Sequence, residues 1–319
     1  MKTILLFSLL LTLSCSSQEK PISRIAFGSC SKHDLEQPIW DAVLGFKPEL
    51  WIWMGDNIYG NSLDPEVLIS KYSQQKVIPG YVALREACPV IGTWDDHDYG
   101  KNNAGKEYPS KVASQKAMLD FLDEPADSPR RTQKGVYWSH LYESSGNFVQ
   151  IILLDVRYFR DIPNTENGDI LGEAQWSWLE TTLEQTDADL SLIVSGIQVL
   201  QEDHRYEKWA NFPDARKRLL DLVSSNPDER VIFLSGDRHI SQMASLEHGS
   251  GKAELVEITS SGMTHSWTNF PGETNRHRIR DVYSEINFGT AEINWNRRSV
   301  KFDIRGLDGT SQRSFKLDF

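Results

Sequence analysis

The chain has 319 residues, enough for one large domain or two of ordinary size. A formal charge of −11 at pH 7 excludes nucleic-acid binding through bulk positive charge, and an anionic substrate would need local compensation such as a metal cluster. Three cysteines exclude a disulfide-stapled scaffold, and 13 Pro and 21 Gly exclude a collagen-like or low-complexity chain.

Lys2 precedes a largely apolar run, ILLFSLLLTL at 4–13. A bilayer span takes roughly 20 apolar residues, so this run fits the hydrophobic region of a signal peptide instead. It ends at Leu13-Ser14-Cys15, which resembles a bacterial lipobox, with Thr12 where Leu, Val or Ile is usual. The expectation is a signal peptide of lipoprotein type over 1–14, acylation of Cys15, a short tether over 15–22 and one domain over 23–319. Such a protein is exported, as a periplasmic, outer-membrane or cell-surface lipoprotein. A plain secretory signal or a buried N-terminal helix is the alternative.

Short apolar runs then recur and stop at small or acidic residues. They lie at 25–27, 50–54, 90–94, 149–154, 192–194, 231–234 and 255–258, and read as strands buried on both faces. Helical patterns fall at 37–46, 172–183 and 215–223. Alternating apolar and polar residues at 285–295 and 299–305 predict an antiparallel hairpin, turning at Asn296-Arg297-Arg298. The pattern predicts an α/β fold, two packed β-sheets flanked by helices. Segments 60–90, 103–135 and 200–213 have no readable code for what they line.

The strand ends hold Cys30, Asp56, Asp95, Asp96, His97, Asp155, Asp237 and His239. Open α/β sheets bind ligands beyond the carboxyl ends of their strands. Acids placed there after buried strands are costly unless a pairing charge or a cation compensates them, and carboxylate, imidazole and thiolate together form the donor set of a transition-metal cluster. Neither a phosphate-binding GxxxxGK[ST] loop nor a GxSxG nucleophile elbow occurs. Hydrolysis of a phosphate ester needs a nucleophile at working pH and neutralisation of phosphoryl charge, and a pair of cations provides both.

Six motifs follow one another along the chain. They are Phe27-Gly28-Ser29-Cys30, Met54-Gly55-Asp56-Asn57-Ile58-Tyr59, Thr93-Trp94-Asp95-Asp96-His97-Asp98, the stretch from Leu153 to Arg160, Leu171-Gly172-Glu173-Ala174-Gln175-Trp176, and Ser235-Gly236-Asp237-Arg238-His239. In that order they resemble the alkaline phosphatase D (PhoD-like) family of metallophosphoesterases. The resemblance implies a calcineurin-like metallophosphatase fold, an Fe(3+) and Ca(2+) site (other divalent metals being possible) and hydrolysis of phosphate mono- or diesters outside the cytoplasm. By the same resemblance Cys30 is an iron thiolate, Asp56 the bridging carboxylate, and Asp237 and His239 further ligands. Tyr72 stands for the family's tyrosinate, and Asn102 for an asparagine that offers the metals an oxygen.

Each residue also has a structural reading. Cys30 fits a buried spacer or a disulfide with Cys88, His97 a satisfied core histidine, and Asp95 or Asp96 a cap on the next turn. Asp96 and His97 are assigned catalytic roles beside Asp56, and Arg157, Arg160 and Arg238 suit phosphoryl oxygens. His265 follows another strand and is a further candidate for the site. Arg276, His277, Arg278 and Arg280 read as a solvated face, and His33, His140, His204 and His248 receive no role. The first strand is expected between those ending at Asp56 and Asp237. The function expected is an exported metal-dependent phosphoesterase that acts through a metal-activated water. Its partners are a phosphate-ester small molecule or phosphodiester and a lipid anchor, with no protein partner predicted. The alternative is an exported binding lipoprotein that keeps the fold and metal site without turnover.

Overall fold

A computed structural model describes residues 22–144, 146–225, 230–249 and 253–319. The signal region and Cys15 lie outside the described residues. In chain order the elements are β1 (Arg24–Gly28), α1 (Ile39–Phe46), β2 (Leu50–Met54), α2 (Pro65–Lys76), α3 (Pro79–Ala87), β3 (Val90–Thr93), α4 (Asp96–Tyr99) and α5 (Lys111–Phe121). Next come β4 (Trp138–Ser144), β5 (Asn147–Leu153), α6 (Gly172–Glu184), β6 (Leu190–Ser195), α7 (Pro213–Val223) and β7 (Arg230–Ser235). The chain closes through β8 (Ser241–His248), β9 (Ala253–Ser260), β10 (Asn287–Asn294), β11 (Ser299–Gly306) and β12 (Ser311–Asp318).

Two mixed six-stranded sheets result, ordered β12-β11-β10-β1-β2-β3 and β4-β5-β6-β7-β9-β8. The apolar runs look continuous in sequence, yet each strand sorts its side chains by the pleat. Leu50, Ile52 and Met54 of β2 enter the core between the sheets, together with Ile25, Phe27, Leu192, Ile232 and Leu234. Trp51 and Trp53 point the other way, onto the helices that cover the first sheet. There Trp40, Trp51 and Trp53 pack edge to face at centroid distances of 5.1 to 5.6 Å, a favoured aromatic geometry. On the second sheet Ile193, Val231 and Phe233 meet α6 and α7. The order of layers is helix, sheet, sheet, helix.

The expected strands and the three expected helices are present, with α1 starting at Ile39 and α7 at Pro213. The predicted hairpin is β10–β11, pairing Asn294 with Ser299, and its turn closes on Arg298 at φ 46°. Elements absent from the sequence reading are α2, α3, α4, α5, β4, β8 and β12. Helix α2 buries only Leu68, Tyr72 and Gln75, so its apolar stripe is too thin to read. Strand β1 lies between β2 and β10, and β7 is in the other sheet. That corrects the expected adjacency of the strands ending at Cys30 and Asp237; their ends meet across the gap between the sheets.

Candidate metal centre

Tight turns deliver the polar residues to this gap. Cys30, Asp56, Asp237 and His239 have φ of 61, 51, 68 and 54°, the left-handed region that non-glycine residues seldom adopt. Such strain persists only where surrounding structure holds it, and it gathers at functional sites. Gly55, at φ 97°, passes so close to the next turn that a Cβ there would lie 2.4 Å from the Cβ of Asp95. Asp98 organises both turns: its carboxylate accepts from the backbone N–H groups of Asp56, Asn57 and Asp95 at 3.1, 3.2 and 2.7 Å.

Three overlapping groups of donor atoms result, each within 4.8 Å: Cys30–Asp56–His239, Asp56–Asp96–His97 and Asp95–Asp96–Asp237. Asp56 links the first two groups and Asp96 the last two. Cys30 Sγ lies 3.5 Å from Asp56 Oδ2. The Tyr59 hydroxyl lies 3.3 Å from the same oxygen and 3.0 Å from His239 Nε2. Asp237 and His239 open onto a cavity of about 600 Å³, also lined by His97, Asn102, Arg238 and Trp267.

Burial, reinforced by the neighbouring carboxylates, pushes Asp56 well above the usual carboxylate range. Burial likewise lifts Asp95, although Arg157 pulls it back, and lifts Asp237 to about 7. Asp96 is the acid held low; burial opposes this, but Arg157 and His97 outweigh it. Burial keeps the imidazoles neutral, taking His239 to about 4 and His265 to about 3, and raises the Cys30 thiol together with Asp56 and Asp237. Buried Asp95 Oδ2, Asp96 Oδ1, Asn57 Oδ1 and His265 Nε2 have no hydrogen-bond partner among the described residues. Unsatisfied buried acceptors are costly. Crowded acids, neutral imidazoles and orphaned acceptors together fit one or more bound cations.

Of the residues expected at the site, Cys30, Asp56, Asp96, His97, Asp237 and His239 come together. Cys30 and Cys88 are both free and buried, so the disulfide alternative fails. Tyr72 does not join the cluster; its hydroxyl donates to Asp98 Oδ2 at 3.3 Å and its ring stacks on Phe121 at 4.7 Å. The phenol at the cluster is Tyr59, three residues beyond Asp56 in the same turn, and the spacing of the Asp56-Asn57-Ile58-Tyr59 motif was the signal for it. Asn102 is exposed at the cavity rim, while the backbone N–H of Asn103 donates to Asp96 Oδ2 at 2.6 Å.

Arg157 is not free for a phosphoryl group. It is wholly buried, with Nε on Asp95 Oδ1 at 2.6 Å and Nη1 on Glu207 Oε2 at 2.7 Å. Arg160 shares Glu207 at 2.9 Å. Arg238 does line the cavity, gripped by Glu273 at 2.7 and 2.8 Å. Asp155 stays out of the cluster, accepting from Trp94 Nε1 and from the backbone of Val136, Arg157 and Tyr158. His265 reaches the site, its ring 4.3 Å from that of His239. Lys32, absent from the sequence reading, lies 5.3 Å from the Tyr59 ring centre.

Comparison with known proteins agrees with this architecture. A curated alkaline phosphatase D from Bacillus subtilis (strain 168) is 22% identical over 313 residues, covering 79% of this chain. The chain spans about half of that relative, 53% of its length. A solved structure described as PhoD superposes with a TM-score of 0.77 at 18% identity, covering 93% of this chain and 70% of that one. The structure titled "GAP50 the anchor in the inner membrane complex of Plasmodium" shares the fold, with a TM-score of 0.63 at 16% identity, over 94% of this chain and 90% of its own. The model of the PhoD-like phosphatase family matches residues 25–306, most of the chain, and the chain belongs to that family.

Proposed function

We propose that the protein is a metal-dependent phosphoesterase that hydrolyses phosphate mono- or diesters, exported and held at a membrane through Cys15. The observation behind the catalytic reading is the linked donor set at the floor of the cavity, in which Asp56 and Asp96 each serve two groups. Cys30, Tyr59 and His239 supply the thiolate, phenolate and imidazole donors suited to iron. Asp96 and Asp237, with Asn102 at the rim, supply oxygens suited to calcium, and the donor group shared by Asp56 and Asp96 links the two sides. Bound cations there would lower the pKa of water and neutralise phosphoryl charge. The export reading rests on the 4–13 run and Leu13-Ser14-Cys15 alone.

The chain's own groups contribute the rest. Arg238 faces the cavity with a fork suited to non-bridging phosphoryl oxygens. His97 Nδ1 donates to Asn61 Oδ1 at 2.7 Å, which leaves Nε2 unprotonated on the Asp96 side, 3.9 Å from Oδ1. That nitrogen is placed to accept the proton released when water attacks. Burial lowers the His97 pKa and keeps the ring available as a base.

The test is turnover of aryl phosphate mono- and diesters by protein reconstituted with iron and calcium, beside the Asp56→Asn variant. Activity should be chelator-sensitive and fall at least ~100-fold in Asp56→Asn, with metal content falling alongside. A folded, metal-replete wild type that turns over neither ester would favour the binding lipoprotein instead. Iron-loaded protein should also show a phenolate charge-transfer band that Tyr59→Phe removes and Tyr72→Phe leaves. The reverse result would restore Tyr72 as the ligand. Replacing Cys15 with Ala should release the protein from membranes, and unchanged membrane association would end the lipid-anchor reading.

A further inference from the structure

We propose that the cavity selects phosphate esters bearing a flat aromatic group, of nucleotide size, with Trp267 as the stacking platform. This rests on the phosphoesterase reading and names the substrate class for the same site. The fold buries Trp40, Trp51, Trp53, Trp94, Trp176 and Trp209 almost completely. Trp138, Trp178, Trp267 and Trp295 are left partly exposed, and of these four it is Trp267 that stands on the wall of the cavity that holds Asp237 and His239. Two aromatic neighbours brace it edge to face, Tyr206 at 5.8 Å and 83° and Phe270 at 5.2 Å and 84°. Its backbone N–H donates to the His239 carbonyl at 2.7 Å, so the platform is tied to a residue of the metal cluster itself.

The brace is anchored in turn. The Tyr206 N–H donates to His204 Nδ1 at 3.1 Å, His204 Nε2 meets Gln198 Oε1 at 2.9 Å, and Gln198 Nε2 donates to Thr259 Oγ1 at 2.9 Å. Burial takes His204 down to about 3, so this prop stays neutral across the working range. A platform fixed in this way binds without an ordering cost, and a ring stacks on it with little regard to its substituents. Arg205 stands beside it, exposed and lining the cavity, in ion-pair contact with no carboxylate among the described residues. Its guanidinium lies 5.2 Å from the Tyr206 ring centre and donates to the Tyr206 hydroxyl at 3.3 Å, which leaves its remaining N–H groups for a second anionic charge or the phosphate flank. At about 600 Å³ the cavity has room for a nucleoside beside the phosphoryl group. A small aliphatic ester would leave the aromatic wall unused.

The experiment compares adenosine 5′-monophosphate with glycerol 3-phosphate on metal-loaded wild type, Trp267→Leu and Trp267→Phe. Wild type should favour the nucleotide by about tenfold or more in kcat/KM, the order expected for stacking one base on an aromatic ring. Trp267→Leu should abolish that preference, mainly by raising KM for the nucleotide, and Trp267→Phe should restore most of it. Adenosine itself, with no ester to cleave, should bind wild type and lose affinity by a similar factor in Trp267→Leu. Equal efficiency on both esters in wild type, or equal losses for both in Trp267→Leu, overturns the platform and leaves the phosphoesterase reading standing. Hydrolysis of neither ester, with Trp267-dependent adenosine binding, overturns the phosphoesterase reading and leaves the platform standing.

Discussion

Buried carboxylates lie on two sides of one site and are handled in opposite ways. On the flank, Asp95 and Glu207 are met by the chain's own cations, Arg157 and Arg160. On the floor, Asp56, Asp96 and Asp237 crowd together, and the nearest guanidinium beyond Arg157, that of Arg238, is turned to Glu273. Strand-end acids that look alike in sequence therefore divide into a self-neutralised group and a group short of positive charge. The flank holds geometry and the floor creates a demand for cations. The same division explains why Arg157 and Arg238, each a few residues past a strand of the second sheet, have different tasks.

The largest effect that would sharpen this contrast is the pH dependence of the metal-free protein. Burial lifts Asp98 to about 7, and burial with the field of Asp96 lifts Asp237 to about 7, from an ordinary 3.8. At these two groups the folded chain keeps protons that the unfolded chain releases above pH ~4, so their contribution to stability is full below that point and is lost as pH rises through ~7. The neutral imidazoles of His239 and His265, held down to about 4 and about 3, act in the opposite sense and add stability as pH rises toward ~6.5. For each carboxyl a shift of this size corresponds to on the order of 4 kcal/mol. Removing the ionisable floor carboxyl isolates its share: in chelator, Asp237→Asn should gain melting temperature relative to wild type between pH 4.5 and 7.5, and added calcium with iron should raise the melting temperature of wild type at pH 7.5. An Asp237→Asn protein with the same pH dependence as wild type, and a wild type whose melting temperature ignores the metals, would show that the floor needs no cation.

The flank can be broken directly. Arg157→Met leaves Asp95 and Glu207 buried without their shared partner, and breaking such a pair costs roughly 3–5 kcal/mol. Denaturant midpoints should drop accordingly, in metal-loaded and metal-free protein alike. If activity fell while stability held, Arg157 would contact the substrate after all, as its position in the sequence suggests.

Most of the frame could be read from the sequence because its strands are uniformly apolar and end abruptly on ligand-type residues. Elements whose pattern is diluted could not be read. Strand β8 mixes Ser241, Gln242 and Glu247 into an edge position, and β4 does the same with Ser139 and His140. Within the site, Cys30, Asp56, Asp237 and His239 are local to motifs and were legible. The roles of Arg157, Tyr72 and Glu207 depend on contacts between residues far apart in the chain, such as Arg157 with Asp95 62 residues away. No spacing rule encodes those contacts. Tyr59 was legible in principle, since it lies only three residues beyond Asp56, but choosing it over Tyr72 required knowing which way the turn folds.

The smallest effect concerns Arg238, the guanidinium on the substrate side. Glu273 holds it with two contacts and the Tyr206 ring lies 4.3 Å from it, while its Nε has no hydrogen-bond partner among the described residues. Replacing Glu273 with Gln keeps the shape and removes the charge, so the fork loses its strongest orienting contact but stays at the cavity. A charge-assisted hydrogen bond to a phosphoryl oxygen contributes roughly 1.5–3 kcal/mol, so Arg238→Ala should lower kcat/KM by about 10- to 100-fold. Glu273→Gln should cost only a few-fold, chiefly in KM, because it disturbs aim and leaves the charge. Neither change should approach the stability loss of Arg157→Met, since Arg238 has one carboxylate partner and an open side. Kinetics and denaturant melts on the three variants together decide the matter. An Arg238→Ala protein that unfolds like Arg157→Met, with unaltered kinetics at low temperature, would place both arginines on the structural side and remove the distinction between flank and rim.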